Sequence, residues 1–321
     1  MKRTTYRNVI VFSILIFMVT CFMSVGFSAI QKDITISGKV TYIPNTMLVN
    51  NSSQTKFLDC DNIASSEVVR LVFSSNSPSS FTKSCDVSFK QNSSVMAYIN
   101  SAGTTTIAPV HSSDKIYFNT GTKFRNLTNC SSINFNHKIV TSNLRNMQYM
   151  FENLCSANNC SMTNLNLSDF NTSNVSSMYA LFYGAKGVQA MDLSSFDTHK
   201  VIDMGVMFNH CESLTDLDIS SFDTSNVCFM SQMFAYSSNL QSIYVSDLWT
   251  ISRLLSAPEG GVCNYMNFRG SEMFYATSVH PPHSGSSYDC GNYGSHSYEY
   301  AYIDKPPTSF GCLTDVSEKP S

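Results

Sequence analysis

Charge is scarce in this 321-residue chain: Asp, Glu, Lys and Arg make up 13% of it, and the net charge is −3. No basic stripe, RNA-binding motif or zinc-finger spacing occurs, so the sequence offers nothing to a nucleic acid. Catalytic signatures are missing too. There is no HExxH helix, no GxSxG elbow, no Walker loop and no GxGxxG after a strand. NTGTKF (Asn119–Phe124) lacks the spacing of a phosphate loop. The chain is therefore read as a non-enzyme with no cofactor. Its polarity comes from Ser, Thr and Asn, a surface common on exported proteins but with few charges to keep an apolar edge soluble.

What is present begins with an address. Lys2, Arg3 and Arg7 precede an uncharged run, Val9–Ile30, rich in Val, Ile, Phe and Met. At about 1.5 Å per residue this run spans a bilayer of roughly 30 Å. The positive flank keeps the N-terminus cytoplasmic and sends the chain beyond residue 30 outside. Gly26 and Ser28 before Ala29 fit signal-peptidase cleavage, whereas the length of the run fits a retained anchor. Both readings stay open. The expected location is the extracellular face of the cell membrane, or secreted, with contact to the membrane through residues 1–30.

Export gives the cysteines a meaning. Ten of the eleven lie beyond Cys21, and an even number in an oxidising compartment invites disulfides. Spacing supports three candidate pairs: Cys60–Cys85, Cys155–Cys160 and Cys290–Cys312. His280, His283, Cys290, His296 and Cys312 could also offer ligands to zinc. Their spacing matches no familiar site, and no metal is assigned.

Residues 31–125 read as a small β-rich domain. Ile34, Ile36, Val40 and Tyr42 alternate with polar residues, and short apolar runs come next at Val68–Phe73, Val95–Ile99 and Ile116–Phe118. Then one phrase recurs every 26 residues. Aligned on Phe170, Phe196 and Phe222, three units share F-[DN]-T-x-x-V-x-x-M-x-x-[ML]-F. An imperfect earlier unit carries Leu144, Met147 and Met150-Phe151. A later one starts at Trp249, the chain's only Trp, and resumes at Met273-Phe274. A fixed period of this size marks a solenoid. Leu214-x-x-Leu217-x-Ile219 fits the core of leucine-rich repeats, and Val188/Met191/Leu193 and Leu240/Ile243/Val245 fill the same slots. Val175, Met178, Leu181 and Phe182 suit a short helix or turn that closes each coil. The expected fold is thus an α/β solenoid: a leucine-rich-repeat-like stack of strand-plus-short-helix coils over 126–278, with a loop-rich cap at 279–321. Asp-Thr after each Phe is read as a turn-former.

MFNHCESLTDLDISSFDTSNV (Met207–Val227) resembles the repeat of BspA-like leucine-rich-repeat surface proteins, in the variant of mycoplasma-type lipoproteins and gut Firmicutes. Asn92–Ile99 and Ala301–Asp315 resemble, more weakly, segments that flank such repeats. The resemblance implies an exported, cell-surface protein. Some members of that family bind host matrix proteins or mediate adherence and co-aggregation. The tail DVSEKPS carries no LPxTG-type wall anchor.

Strand alternation suggests where a partner would touch. Outward residues form columns across coils: Asn164, Ala190, Asp216, Ser242; Asn166, Asp192, Asp218, Tyr244; and Ser168, Ser194, Ser220, Ser246. The candidate partner-binding residues are Asn166, Asp192, Asp216, Asp218 and Tyr244, offered to an extracellular protein or cell-surface ligand. The competing reading is that they are ordinary solvated strand residues. Trp249 is read as a core replacement for the repeat Phe.

Overall fold

The computed structural model describes residues 63–87, 95–112, 114–118, 124–135, 139–255, 272–275, 277–278, 312–315, 317 and 319. The signal or anchor segment, the strand expected near Ile34–Tyr42, and Cys60, His280, His283, Cys290 and His296 lie outside them. Among the described residues the protein is β-rich, with many short parallel strands. Helix is confined there to a 3-10 turn at Ser65–Glu67 and four residues at Ser252–Leu255. No helix among them is long and apolar enough to cross a membrane.

The first sheet arises where apolar and polar residues alternate. Its strands are β1 (Arg70–Phe73), β2 (Lys83–Asp86), β3 (Val95–Ile99), β4 (Thr104–Pro109) and, after the short β5 (Ile116–Tyr117), β6 (Ser132–Asn134). The order is β2-β3-β4-β1-β6. β2, β3 and β4 pair antiparallel, while β1 lies parallel to both β4 and β6. In β3, Val95, Ala97 and Ile99 are buried and Met96 and Tyr98 half-buried, the two-residue period of a strand with one face on a core. The β3–β4 turn is held by Asn100, whose Oδ1 accepts the N–H groups of Ala102 and Thr104 at 3.0 Å. Gly103 completes it at φ +75°, where a Cβ would lie 2.7 Å from Val69 and 2.8 Å from the Glu67 carbonyl. No other residue fits there.

Beyond β6 the strands are shorter and parallel: β7 (Ile139–Val140) on β5; β8 (Leu165–Asn166) on β9 (Met191–Asp192); and β10 (Asp216–Asp218) on β11 (Ser242–Val245), which also pairs with β12 (Thr314–Asp315). Leu165 faces Met191 and Leu217 faces Ile243. Positions 26 residues apart thus lie side by side, as the repeat requires.

The segment expected to be a short helix is not one. Parallel bridges join Asn146 to Ser177, Ser177 to Asp203 and Asp203 to Phe229. Along it, alternate N–H groups donate to the next unit: Met178 to Asp203, Ala180 to Gly205, Phe182 to Met207, Gly184 to Asn209, all at 2.8–2.9 Å. The N–H groups between them, of Leu181, Tyr183 and Ala185, turn back to carbonyls three residues earlier. Donors spent on the neighbouring unit cannot build the i to i−4 ladder of an α-helix. The backbone makes this alternation by entering the left-handed region two residues before each ladder Phe, at Tyr149, Ala180, Val206, Gln232 and Glu272 (φ 48–58°).

Inside, the phenylalanines form a file. Rings of Phe124, Phe151, Phe182, Phe208, Phe234 and Phe274 succeed one another at centroid distances of 5.2–5.8 Å with planes within 18°. Phe124 is a member that the repeat template does not reach. Trp249 is 6% exposed and lies 6.5 Å from Phe234, a core residue as expected. One contiguous apolar core runs from Ile63 to Leu313.

The Asp-Thr pairs work in two ways. Asn171, Asp197 and Asp223 each accept the N–H two residues on, which fixes the local turn. The threonines instead reach the next unit. Thr172, Thr198 and Thr224 are buried, and their Oγ1 atoms donate to the carbonyls of Asp197, Asp223 and Thr250 at 2.8–2.9 Å. Each hydroxyl satisfies a buried carbonyl that would otherwise go unpaired.

Candidate partner-binding surface

Consecutive units set the outward columns edge to edge, and exposure falls along them. In one column Asn166 is exposed, Asp192 and Asp218 are half-buried, and Tyr244 is buried at 7% exposure. In the next, Asn164, Ala190 and Asp216 are exposed and Ser242 is half-buried. Tyr244, expected to tip this face, therefore does not present itself to a partner. Alternation within β11 points it outward, but β12 pairs with β11 at that residue (Tyr244 opposite Thr314) and the strand is no longer open. Asp218 is engaged as well: Lys319 donates to its Oδ2 at 2.7 Å. Burial opposes its ionisation, yet the Lys319 ammonium and the Ser220 donors hold the carboxyl below the usual range. The open part of the face lies toward β8.

The acidic and amide side chains of the column have local partners. Asn166 Oδ1 accepts from the Ser168 N–H and hydroxyl at 2.9 and 2.7 Å, and Asp192 Oδ1 from those of Ser194 at 3.1 and 2.7 Å. Asp218 accepts from the Ser220 N–H at 3.0 Å. These turns fix the carboxylate rotamers and leave the second oxygen of Asp192 toward a half-buried surface. Asp216 stays exposed.

At the open end this face runs into a groove of about 1030 Å³. Arg70 of β1 and Lys115, just before β5, stand on its rim with Ser132, Asn134, Asn166 and Asp169. Val72, Ile133, Phe135, Ile139 and Val140 complete its lining. Of the expected site residues only Asn166 lies in this groove. Arg70, Lys115 and Asp169 carry no sequence signal, because segments far apart in the chain bring them together. A groove of this volume with an apolar floor and a polar rim is the usual form of a ligand site.

The cysteines divide clearly. Cys155 and Cys160 form a disulfide with Cα atoms 5.3 Å apart, as expected. Cys85 and Cys312 are disulfide-bonded as well, and the partners expected for them, Cys60 and Cys290, lie outside the described residues. Cys228, which spacing had not singled out, is also disulfide-bonded. Cys130 and Cys211 are free and buried, and burial pushes both thiols up, that of Cys130 to about 12. Neither is poised as a nucleophile. Among the described residues no three His, Cys, Asp or Glu side chains gather to hold a metal ion. The one strongly perturbed carboxyl, Asp203, is 3% exposed. Burial raises it to about 6, against the single Gly205 N–H that its Oδ1 accepts at 3.0 Å.

These features define a class: a β-rich repeat protein whose short parallel strands stack at 26-residue intervals. The repeat region matches the family described as "Mycoplasma protein of unknown function, DUF285", over residues 122–186 and 147–258. No curated protein and no solved structure matches the chain.

Proposed function

We propose that this is an exported cell-surface interaction protein, an adhesin or scaffold, which uses the open strand face of a leucine-rich-repeat-like solenoid to bind host matrix proteins or neighbouring cells. The carrying observation is the contrast between the repeated interior and the outward columns. Phe, Met and Thr recur from unit to unit to make the core, while the exposed places change from Asn164 to Ala190 to Asp216. Solenoids present such faces to extended partners. The BspA-like resemblance of Met207–Val227 and the apolar run Val9–Ile30 support export to the surface. An exported enzyme, or a purely structural coat, are the alternatives; the sequence motifs favour neither.

Surface proteolysis of intact cells that express the full chain, with N-terminal sequencing of the mature protein, tests the location. Fragments cut from the repeat region by an external protease support the reading; full protection of that region rejects it. Adherence of the same cells to immobilised matrix proteins, with and without the chain, tests the role.

A further inference from the structure

The groove and the face that it opens onto carry opposite charge. The side chains of Arg70 and Lys115 are exposed on the groove rim and have no ion-pair or hydrogen-bond partner among the described residues. Elsewhere in the described protein exposed cations are engaged: Lys83 with Glu67, Lys186 with Glu212, Lys319 with Asp218, Lys200 with Asn174, Arg253 with Asn226. Across the groove Asp169 is exposed and, among the described residues, unpartnered too; beyond it lie Asp192 on β9 and Asp216 on β10. The far end of the acidic stretch is closed by Lys319 on Asp218.

We infer that this surface recognises an extended peptide segment of a partner protein that carries carboxylates at one end and basic side chains at the other. The inference rests on the partner-binding reading and names the chemistry of its site. Guanidinium and ammonium groups without internal partners are ready for a carboxylate, which Arg can take in a bidentate fork. Asp169, Asp192 and Asp216 would meet the basic end. A polyanion such as a sulfated glycan is a poor match, because the two cations give way to three carboxylates that would repel it. A sugar chain also finds no open aromatic platform in the groove, since Phe135 is 8% exposed and packed against Phe73 and Phe170. β1, β6, β8, β9 and β10 at about 4.8 Å per strand spacing cover roughly 19 Å, the length of about six extended residues. Aliphatic residues between the charged ends would lie over Val72, Ile139 and Val140.

The test uses the full-length protein in detergent and four fluorescent hexapeptides with the same aliphatic centre: acidic-to-basic, all acidic, all basic and uncharged, with heparin as a polyanion control. The acidic-to-basic peptide binds best, and Arg70→Glu with Lys115→Glu weakens it at least tenfold while improving the all-basic peptide. Should that double variant lose its fold by circular dichroism, Arg70→Gln with Lys115→Gln is used, and the same peptide weakens severalfold. Equal binding of all four peptides, no binding of any, unchanged binding by the variants, or tighter binding of heparin overturns the inference. Adherence separates the two claims. If Asp192→Ala with Asp216→Ala abolishes adherence while the groove variants leave adherence and peptide binding intact, the groove falls and the face stands. If neither pair of changes alters adherence, the reading of the face falls as well.

Discussion

Phe182 and Phe208, 26 residues apart, lie with ring centroids 5.4 Å apart and planes 18° from parallel. Both are fully buried. Each fills the same place in its own unit, and their contact is one rung of the file that holds the units together. Replacing Phe208 by Ala removes two rungs at once and leaves a cavity; the expected cost is about 3–5 kcal/mol. Phe208→Leu keeps most of the volume and costs roughly 1.5 kcal/mol. Urea denaturation of both variants checks the order.

Asp203 predicts a pH dependence. Its folded carboxyl titrates near 6, above the roughly 3.9 of an unfolded aspartate. A carboxyl raised on folding penalises the native state above its folded value, and the penalty is relieved as pH falls from about 6 toward 4. Its cause is burial. Asn146 occupies the equivalent bridge position and accepts the Gln148 N–H through its Oδ1 at 2.7 Å, as Asp203 accepts that of Gly205. Asp203→Asn therefore stabilises the protein at pH 7 by on the order of 2 kcal/mol, and the gain disappears near pH 4. Melting temperatures of the two proteins at both pH values check this.

Val206 sits at φ 48°, where a β-branched side chain is strained. The left-handed region costs an ordinary residue roughly 1–2 kcal/mol, and Asn tolerates it better. Val206 is half-buried, so little packing is lost on replacement. Val206→Asn is expected to raise the midpoint of thermal unfolding by a few degrees, whereas Val206→Ile leaves it unchanged or lower.

Cys130 and Cys211 are buried with raised thiols. Neither should react with a maleimide reagent in the native protein at pH 7, and both should react at once in denaturant. Cys155 and Cys160 should appear as a linked pair in non-reducing peptide maps.

Much of this architecture was legible in the residues. The 26-residue recurrence of Phe, Val and Met gives the register directly, and it carries through the imperfect unit at Phe151 and the interrupted one at Phe274, both of which join the file. The missing helix was not legible. A left-handed residue is signalled by Gly or Asn, but here Ala180, Val206 and Gln232 hold that conformation. They do so because hydrogen bonds to the next unit over-determine it. Burial of Tyr244 could not be read from alternation, which tells which side a residue faces and not whether a distant strand closes the edge. The groove was invisible for the same reason: Arg70, Lys115 and Asp169 are separated by tens of residues and meet only in the fold. Of the site expected from the columns, Asn166, Asp192 and Asp216 remain open or half-open, while Asp218 is tied to Lys319.

The central claim is that a partner docks on the strand face. The most direct measurement is binding of the full-length protein to a panel of immobilised matrix proteins by surface plasmon resonance, beside a variant with Asp192→Ala, Asp216→Ala and Asp218→Ala. All three side chains are exposed or half-buried, so the variant is expected to keep its thermal midpoint within a few degrees. The account predicts at least a tenfold loss of affinity for a matrix protein that the wild-type chain binds. Equal binding by the two proteins, with equal thermal midpoints, would contradict it.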